Sequence, residues 1–270
     1  DLTSMLLLGC LLASATPALA QDGPRETLGF NALHARLGDD APDGTGIAVG
    51  YAEAPANGLW GPNLNVGELS TKVVSIESPG TPGESAHSTI VMQNLCGDST
   101  SLAPGIVDVF LWEANHWITG FLNLGQGANV APDPLPGSVK VLNNSWIASS
   151  TPNTDNEVLR RVDALINRDR LLMVNGVANN PAGNPPLLSH AFNAIAVGRR
   201  TGDHSALPTD ASIDGPGRMK PEIVGDAGAT SFATPQIGAI AAVLWETAET
   251  WPGLSTSLAA RRVEVIRAVL

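Results

Sequence analysis

Short apolar runs alternate along this chain with segments whose apolar positions recur at helical spacing. Gly46-Ile47-Ala48-Val49-Gly50-Tyr51-Ala52 reads as a buried strand ended by Glu53 and Pro55. Ile106-Val107-Asp108-Val109-Phe110-Leu111 and Val139-Lys140-Val141-Leu142 read as two more. Leu171-Leu172-Met173-Val174 and Ala194-Ile195-Ala196-Val197-Gly198 follow. Ahead of Leu171, Thr154 and Glu157 have the spacing of a capping box, and Val158, Leu159, Val162, Leu165 and Ile166 mark one face of the helix it opens. From Phe232 to Ala248 a run of small apolar residues predicts a helix buried on both sides, with Pro235 tolerated in its first turn. Strand, helix and strand repeated in this way imply parallel pairing in an α/β sandwich. In such sheets a site lies at the carboxyl ends of the strands.

Composition narrows this picture without naming a function. The chain has 270 residues, 43% of them apolar, with 28 Gly and 20 Pro, which excludes a disordered or collagen-like chain and suits one large domain with frequent turns. Residues 121–138 and 201–218 read as Gly- and Pro-rich surface loops. The net charge is −11 and the only lysines, Lys72, Lys140 and Lys220, are scattered. Nucleic-acid binding needs a concentrated basic face, so no nucleic-acid partner is expected.

The first residues differ from the rest. Met5 is followed by Leu6-Leu7-Leu8, Leu11-Leu12 and Ala18-Leu19-Ala20 with no charge between, an apolar core closing on an A-x-A cleavage signal. Residues 1–20 are read as a secretory signal peptide, although no basic residue precedes the core, and the mature chain as secreted, extracellular or periplasmic. Ser14, Thr16 and Pro17 interrupt the run, which is shorter than the roughly 20 apolar residues of a membrane span, so no membrane span is expected. Loss of Cys10 leaves Cys96 as a lone thiol, read as a packing residue. Residues 21–43 have no assigned role, 44–270 form the main domain, and the chain stops at Leu270 in mid-helix.

The most informative stretch is Thr230-Ser231-Phe232-Ala233-Thr234-Pro235, after Gly228-Ala229. A serine at the start of a buried helix sits at the positive end of the helix dipole, where developing negative charge is stabilised. By spacing alone the stretch also reads as a Ser/Thr N-cap. The full string resembles the Gly-Thr-Ser-(Met/Phe)-Ala-Thr-Pro signature of subtilisin-like serine peptidases, the subtilases, and the resemblance implies that Ser231 is the nucleophile. Ser85-Ala86-His87-Ser88-Thr89, with Leu102-Ala103-Pro104-Gly105 downstream, is similar to the family's histidine motif and implies that His87 is the general base, at the start of a helix through Cys96. His34, His116, His190 and His204 lack such context and are read as surface or packing residues.

The family's first strand usually ends Val-Ile-Asp-(Ser/Thr)-Gly. Here it ends Tyr51-Ala52-Glu53-Ala54, and the resemblance implies that Glu53 orients His87, as in a bacterial branch where Glu is usual. Val174-Asn175-Gly176-Val177-Ala178-Asn179-Asn180-Pro181 resembles the Ala-Ala-Gly-Asn-(Glu/Asn)-Gly loop, implying an oxyanion donor at Asn179, with Asn180 as the one-residue-shifted alternative. Asn143-Asn144-Ser145-Trp146-Ile147 resembles the segment that pairs with an extended substrate, implying substrate contacts from Asn144, Ser145 and Trp146. Ile147 stands where the family usually has Gly and narrows the expected cleft. The matches run from Gly44 to Glu246 in family order.

Together they imply a subtilisin-like three-layer α/β sandwich with a mostly parallel sheet. The implied activity is that of a secreted serine endopeptidase with a polypeptide substrate, a Ser-His-Glu triad and an acyl-enzyme. No cofactor is required. Calcium often stabilises the family, but no run has the ligand spacing of a calcium loop, and no metal site is assigned. The alternative is an inactive subtilase-fold binding or structural protein, motivated by Glu53 and Ile147. An esterase built on Gly97-Asp98-Ser99 is disfavoured, because no Gly-x-Ser-x-Gly elbow occurs.

Overall fold

The computed structural model describes residues 23–127, 129–137, 139–183, 185–209 and 218–270. The signal-peptide reading of residues 1–20, with Cys10, lies outside them, as does part of the 201–218 loop. Two short helices, α1 (Pro24–Thr27) and α2 (Phe30–Leu37), lead into β1 (Ala48–Glu53), β2 (Val73–Ile76), α3 (Ala86–Cys96) and β3 (Asp108–Glu113). A short helix α4 (Ala114–His116) continues as a π turn through Phe121. Then come β4 (Val139–Asn144), α5 (Pro152–Asp169), β5 (Leu172–Gly176) and β6 (Ile195–Arg199). After a two-residue antiparallel ribbon, β7 (Leu207–Pro208) with β8 (Met219–Lys220), the chain closes with β9 (Ile223–Gly225), α6 (Thr230–Thr250) and α7 (Val263–Val269).

Seven strands form one sheet in the order β2-β3-β1-β4-β5-β6-β9, and every pairing in it is parallel. The period-2 alternation of side chains then sorts the core into two layers. Val49, Tyr51, Val109, Leu111, Val141 and Val174 face α3 and α6, where Val91, Leu95, Ile237 and Ala241 meet them. Ala52, Trp112, Leu142 and Met173 face the other way, onto Val158, Val162, Leu165 and Ile166 of α5. The result is the three-layer α/β sandwich expected. Gly50 belongs to the α5 face, where a Cβ would lie 2.8 Å from Trp112 and 2.9 Å from Leu142; the large neighbours fill the space that its missing side chain leaves.

Two helix starts differ from the sequence reading. Helix α5 begins at Pro152, with Thr151 as its cap, whose Oγ1 accepts from Thr154 N–H at 3.3 Å. Proline's fixed φ suits the first helical position, so Thr154 falls inside the helix. Glu157 accordingly accepts from Arg161 Nε at 2.9 Å instead of closing a capping box. Helix α6 begins at Thr230, two residues early, which moves Pro235 to the second turn. There its missing N–H leaves the Ser231 carbonyl without an i+4 partner.

The chain runs from β1 outward through β2 and β3, then crosses to β4 on the other side of β1. The carboxyl end of β1 is thus the point where the winding direction reverses, the usual crevice for a site in such a sheet.

Candidate active site

Glu53 is the last residue of β1 and is 2% exposed. His87 is the second residue of α3, whose cap Ser85 accepts from Ser88 N–H at 3.3 Å and so fixes the first turn beside the strand end. The two side chains meet: His87 Nδ1 lies 2.6 Å from Glu53 Oε1. A carboxylate accepts and cannot donate, so Nδ1 carries the hydrogen and Nε2 is left as an acceptor. This bond, ahead of the opposing effect of burial, raises the His87 pKa above the usual histidine value. Burial in turn raises the Glu53 pKa, against the pull of the His87 hydrogen bond, and Glu53 Oε2 is buried with no partner among the described residues. The pair is therefore one coupled unit that holds a proton tightly.

Ser231 is the second residue of α6. The cap position is Ala229, which makes no side-chain cap bond, so neither Thr230 nor Ser231 acts as the N-cap. Thr230 instead ties the helix to the loop after β5. Its N–H donates to Asn179 Oδ1 at 2.8 Å, and its hydroxyl donates to the Val177 carbonyl at 2.6 Å. The N–H donor identifies the bonded Asn179 atom as oxygen, and the NH2 end of the amide has no hydrogen-bond partner among the described residues. Nothing among the described residues hydrogen-bonds the Ser231 hydroxyl.

These groups converge on one cavity of about 140 Å³, walled by His87, Ser145, Trp146, Ile147, Asn179 and Ser231 among others. The His87 ring also lies against Phe232, centroid to centroid 5.6 Å. Asn180 lies outside this lining; it is exposed, and its Oδ1 accepts from Ala182 N–H at 2.9 Å in a local turn. Asn144 also lies outside it: its buried amide donates to Asn175 Oδ1 at 3.0 Å, and Asn175 donates to the Leu188 carbonyl at 3.0 Å. Ser145 accepts from Asn143 Nδ2 at 3.0 Å. Trp146 packs into the α5-side core, and Ala148 exchanges backbone bonds with Leu187 at 3.1 Å in both directions. The Asn144–Asn175 pair and the Thr230 clamp escape a motif reading, because both depend on which residues strand register and helix start bring together.

Of the five histidines only His87 lines the cavity. His116 meets Ser78 Oγ at 3.0 Å, His204 is buried with Nδ1 2.9 Å from the Ser205 carbonyl, and the His34 ring packs tilted against Phe30. Cys96 is buried, and burial pushes its thiol up to about 12, so it is a poor nucleophile. Ser99 lies past the far end of α3, away from His87. Among the described residues no three His, Cys, Asp or Glu side chains gather to hold a metal ion, and no helix is long and apolar enough to cross a membrane.

No protein-family model and no curated protein matches the chain by sequence. Solved structures do. A psychrophilic protease superimposes with a TM-score of 0.57 at 17% identity, covering 90% of this chain and 87% of that one. A cold-adapted subtilisin-like serine proteinase gives 0.53 at 16% identity, over 84% and 82%. The prenylagaramide maturation protease PagA gives 0.52 at 17% identity, over 81% and 80%. The chain has the subtilisin-like fold.

Proposed function

We propose that this subtilisin-fold chain is a serine endopeptidase, and the observation that carries the proposal is the convergence of the His87–Glu53 pair, Ser231 and Asn179 on one cavity. In this reading His87 Nε2 takes the proton of Ser231 Oγ as that oxygen attacks a peptide carbonyl. Glu53 holds the imidazole in the required tautomer and stabilises the imidazolium. The oxyanion receives the Asn179 NH2 and the Ser231 backbone N–H, which lies in the first turn of α6 where the helix dipole favours negative charge. His87 then protonates the leaving amine, and water releases the acyl group by the same route. All four groups come from the chain itself, so the chemistry calls for no cofactor. The loose Ser231 hydroxyl fits a site that tightens when substrate arrives.

The segment Ser145 to Ile147, which leaves β4 along the cavity wall, supports a polypeptide substrate added as a strand beside it. The apolar leader ending at Ala18-Leu19-Ala20 supports export. A fluorophosphonate probe tests the central claim: intact, folded protein is expected to be labelled at Ser231. A well-folded sample that stays unlabelled would favour an inactive binding protein.

Two further results are expected. Asn179→Ala should lower kcat by about 10²–10³-fold, the cost of one oxyanion donor. Asn179→Asp keeps the acceptor that Thr230 uses and loses the donor, so an equally large loss in this variant assigns the effect to the oxyanion. Recovery of activity in Asn179→Asp would assign it to the Thr230 clamp. The second concerns pH. Catalysis needs neutral His87, and Glu53 favours the imidazolium, so kcat/KM should fall on the acid side with a midpoint above the ordinary histidine value of about 6.5. Glu53→Gln should move that midpoint down.

A further inference from the structure

We infer that Ile147 restricts cleavage to peptides with a small, uncharged side chain on the residue whose carbonyl is attacked. The inference rests on the peptidase reading and adds the substrate class. The cavity beside Ser231 is about 140 Å³, below the roughly 300–1,000 Å³ of pockets that enclose whole small-molecule ligands. His87, Asn179 and Ser231 form part of its wall, so the reacting carbonyl and its oxyanion occupy some of that volume. Its aliphatic wall is made by Ile147, beyond the end of β4, and Val177, beyond the end of β5.

Ile147 is held in this position from both sides. Trp146 is buried in the core, and Ala148 is bonded in both directions to Leu187. The Ile147 side chain, 42% exposed, is branched at Cβ and stiff about χ1, so it cannot swing aside as a longer unbranched chain would. The charge pattern points the same way. Among the described residues no Lys, Arg, Asp or Glu lines the cavity, and Glu53 is buried behind the imidazole with Oε1 on Nδ1. A basic side chain would find no carboxylate there, and an acidic one no cation other than a protonated base that is then inactive.

The test uses the full chain and blocked peptide p-nitroanilides of one sequence ending in Ala, Leu, Phe, Lys or Glu, with active sites counted by fluorophosphonate labelling. Wild type should favour Ala over Phe by at least about tenfold in kcat/KM, the scale on which apolar pockets discriminate by size. Ile147→Gly should raise the Phe-to-Ala ratio of kcat/KM by about tenfold or more, with Ile147→Ala intermediate. Lys and Glu should stay poor in both. Labelled wild type that cleaves Phe as well as Ala, or variants that label fully yet keep the wild-type ratio, would overturn the inference and leave the peptidase reading standing. Folded protein that neither labels nor cleaves would overturn both.

Discussion

Ser231→Ala is expected to lower kcat by about 10⁶-fold and to abolish fluorophosphonate labelling, with no loss of fold. The size follows from the role. Without the hydroxyl there is no acyl-enzyme, and what survives is the rate that oxyanion donors and substrate binding give to attack by water, about 10³–10⁴ above the uncatalysed reaction. The lack of a structural cost follows from geometry. Nothing among the described residues hydrogen-bonds the Ser231 hydroxyl, and Ala229, not Ser231, occupies the cap position. Alanine is also the better helix former, so Tm should be unchanged or slightly raised. Because nucleophile and base act as one unit, Ser231→Ala combined with His87→Ala should be hardly slower than either alone. Turnover that survives Ser231→Ala would mean that the chemistry lies elsewhere in the molecule.

The parts of this site that were legible in the sequence are those set by local pattern. Strand runs such as Leu171–Val174 announce themselves because both faces are buried and every residue is apolar. Glu53 ends its strand because β1 is followed by Pro55, and His87 opens its helix because Ser85 caps it. The edge strand Val73–Ile76 gives no such signal: four residues long and partly exposed, it lacks a sustained apolar run. Both helix starts were read too late. Glu157 looked like a capping partner for Thr154, whereas Pro152 sets the turn one residue after Thr151; Thr230 and Ser231 looked like cap residues, whereas the chain enters the helix at Ala229. Apart from the Glu53–His87 contact, which the family resemblance implies, the side-chain bonds that fix the site across elements were not legible. Thr230 to Asn179 spans 51 positions and Asn144 to Asn175 spans 31, and no local rule encodes such pairings. They follow only once the parallel register aligns Asn144 with Asn175 and sets α6 beneath the loop after β5.

Glu53→Gln should lower catalysis while leaving stability intact or raised. A glutamine amide can accept from Nδ1–H as the carboxylate does, but it can equally turn its NH2 toward Nδ1, which shifts the hydrogen to Nε2 and removes the base that Ser231 needs. Even in the correct tautomer it offers no negative charge to the imidazolium. The expected loss is about 10⁴-fold in kcat. Stability should move the other way. Burial raises the Glu53 pKa, and Oε2 has no partner among the described residues, so the carboxylate is held there against a desolvation cost that a neutral amide avoids. A raised folded-state pKa means that the Glu53 contribution to stability is fully present at low pH and declines as pH rises through that pKa. Glu53→Gln should therefore match wild type in Tm under acid conditions and equal or exceed it near neutrality. Glu53→Asp probes reach instead of charge: one methylene shorter, it keeps the carboxylate but draws it back from Nδ1, and a displacement of about 1 Å at such a contact costs on the order of 10²-fold. Strand β1 would thus be tuned to glutamate, its end set back by the length of that methylene. An Asp variant as active as wild type would show that the extra methylene of Glu53 is not needed to reach His87; a Gln variant that keeps full activity would remove Glu53 from the mechanism.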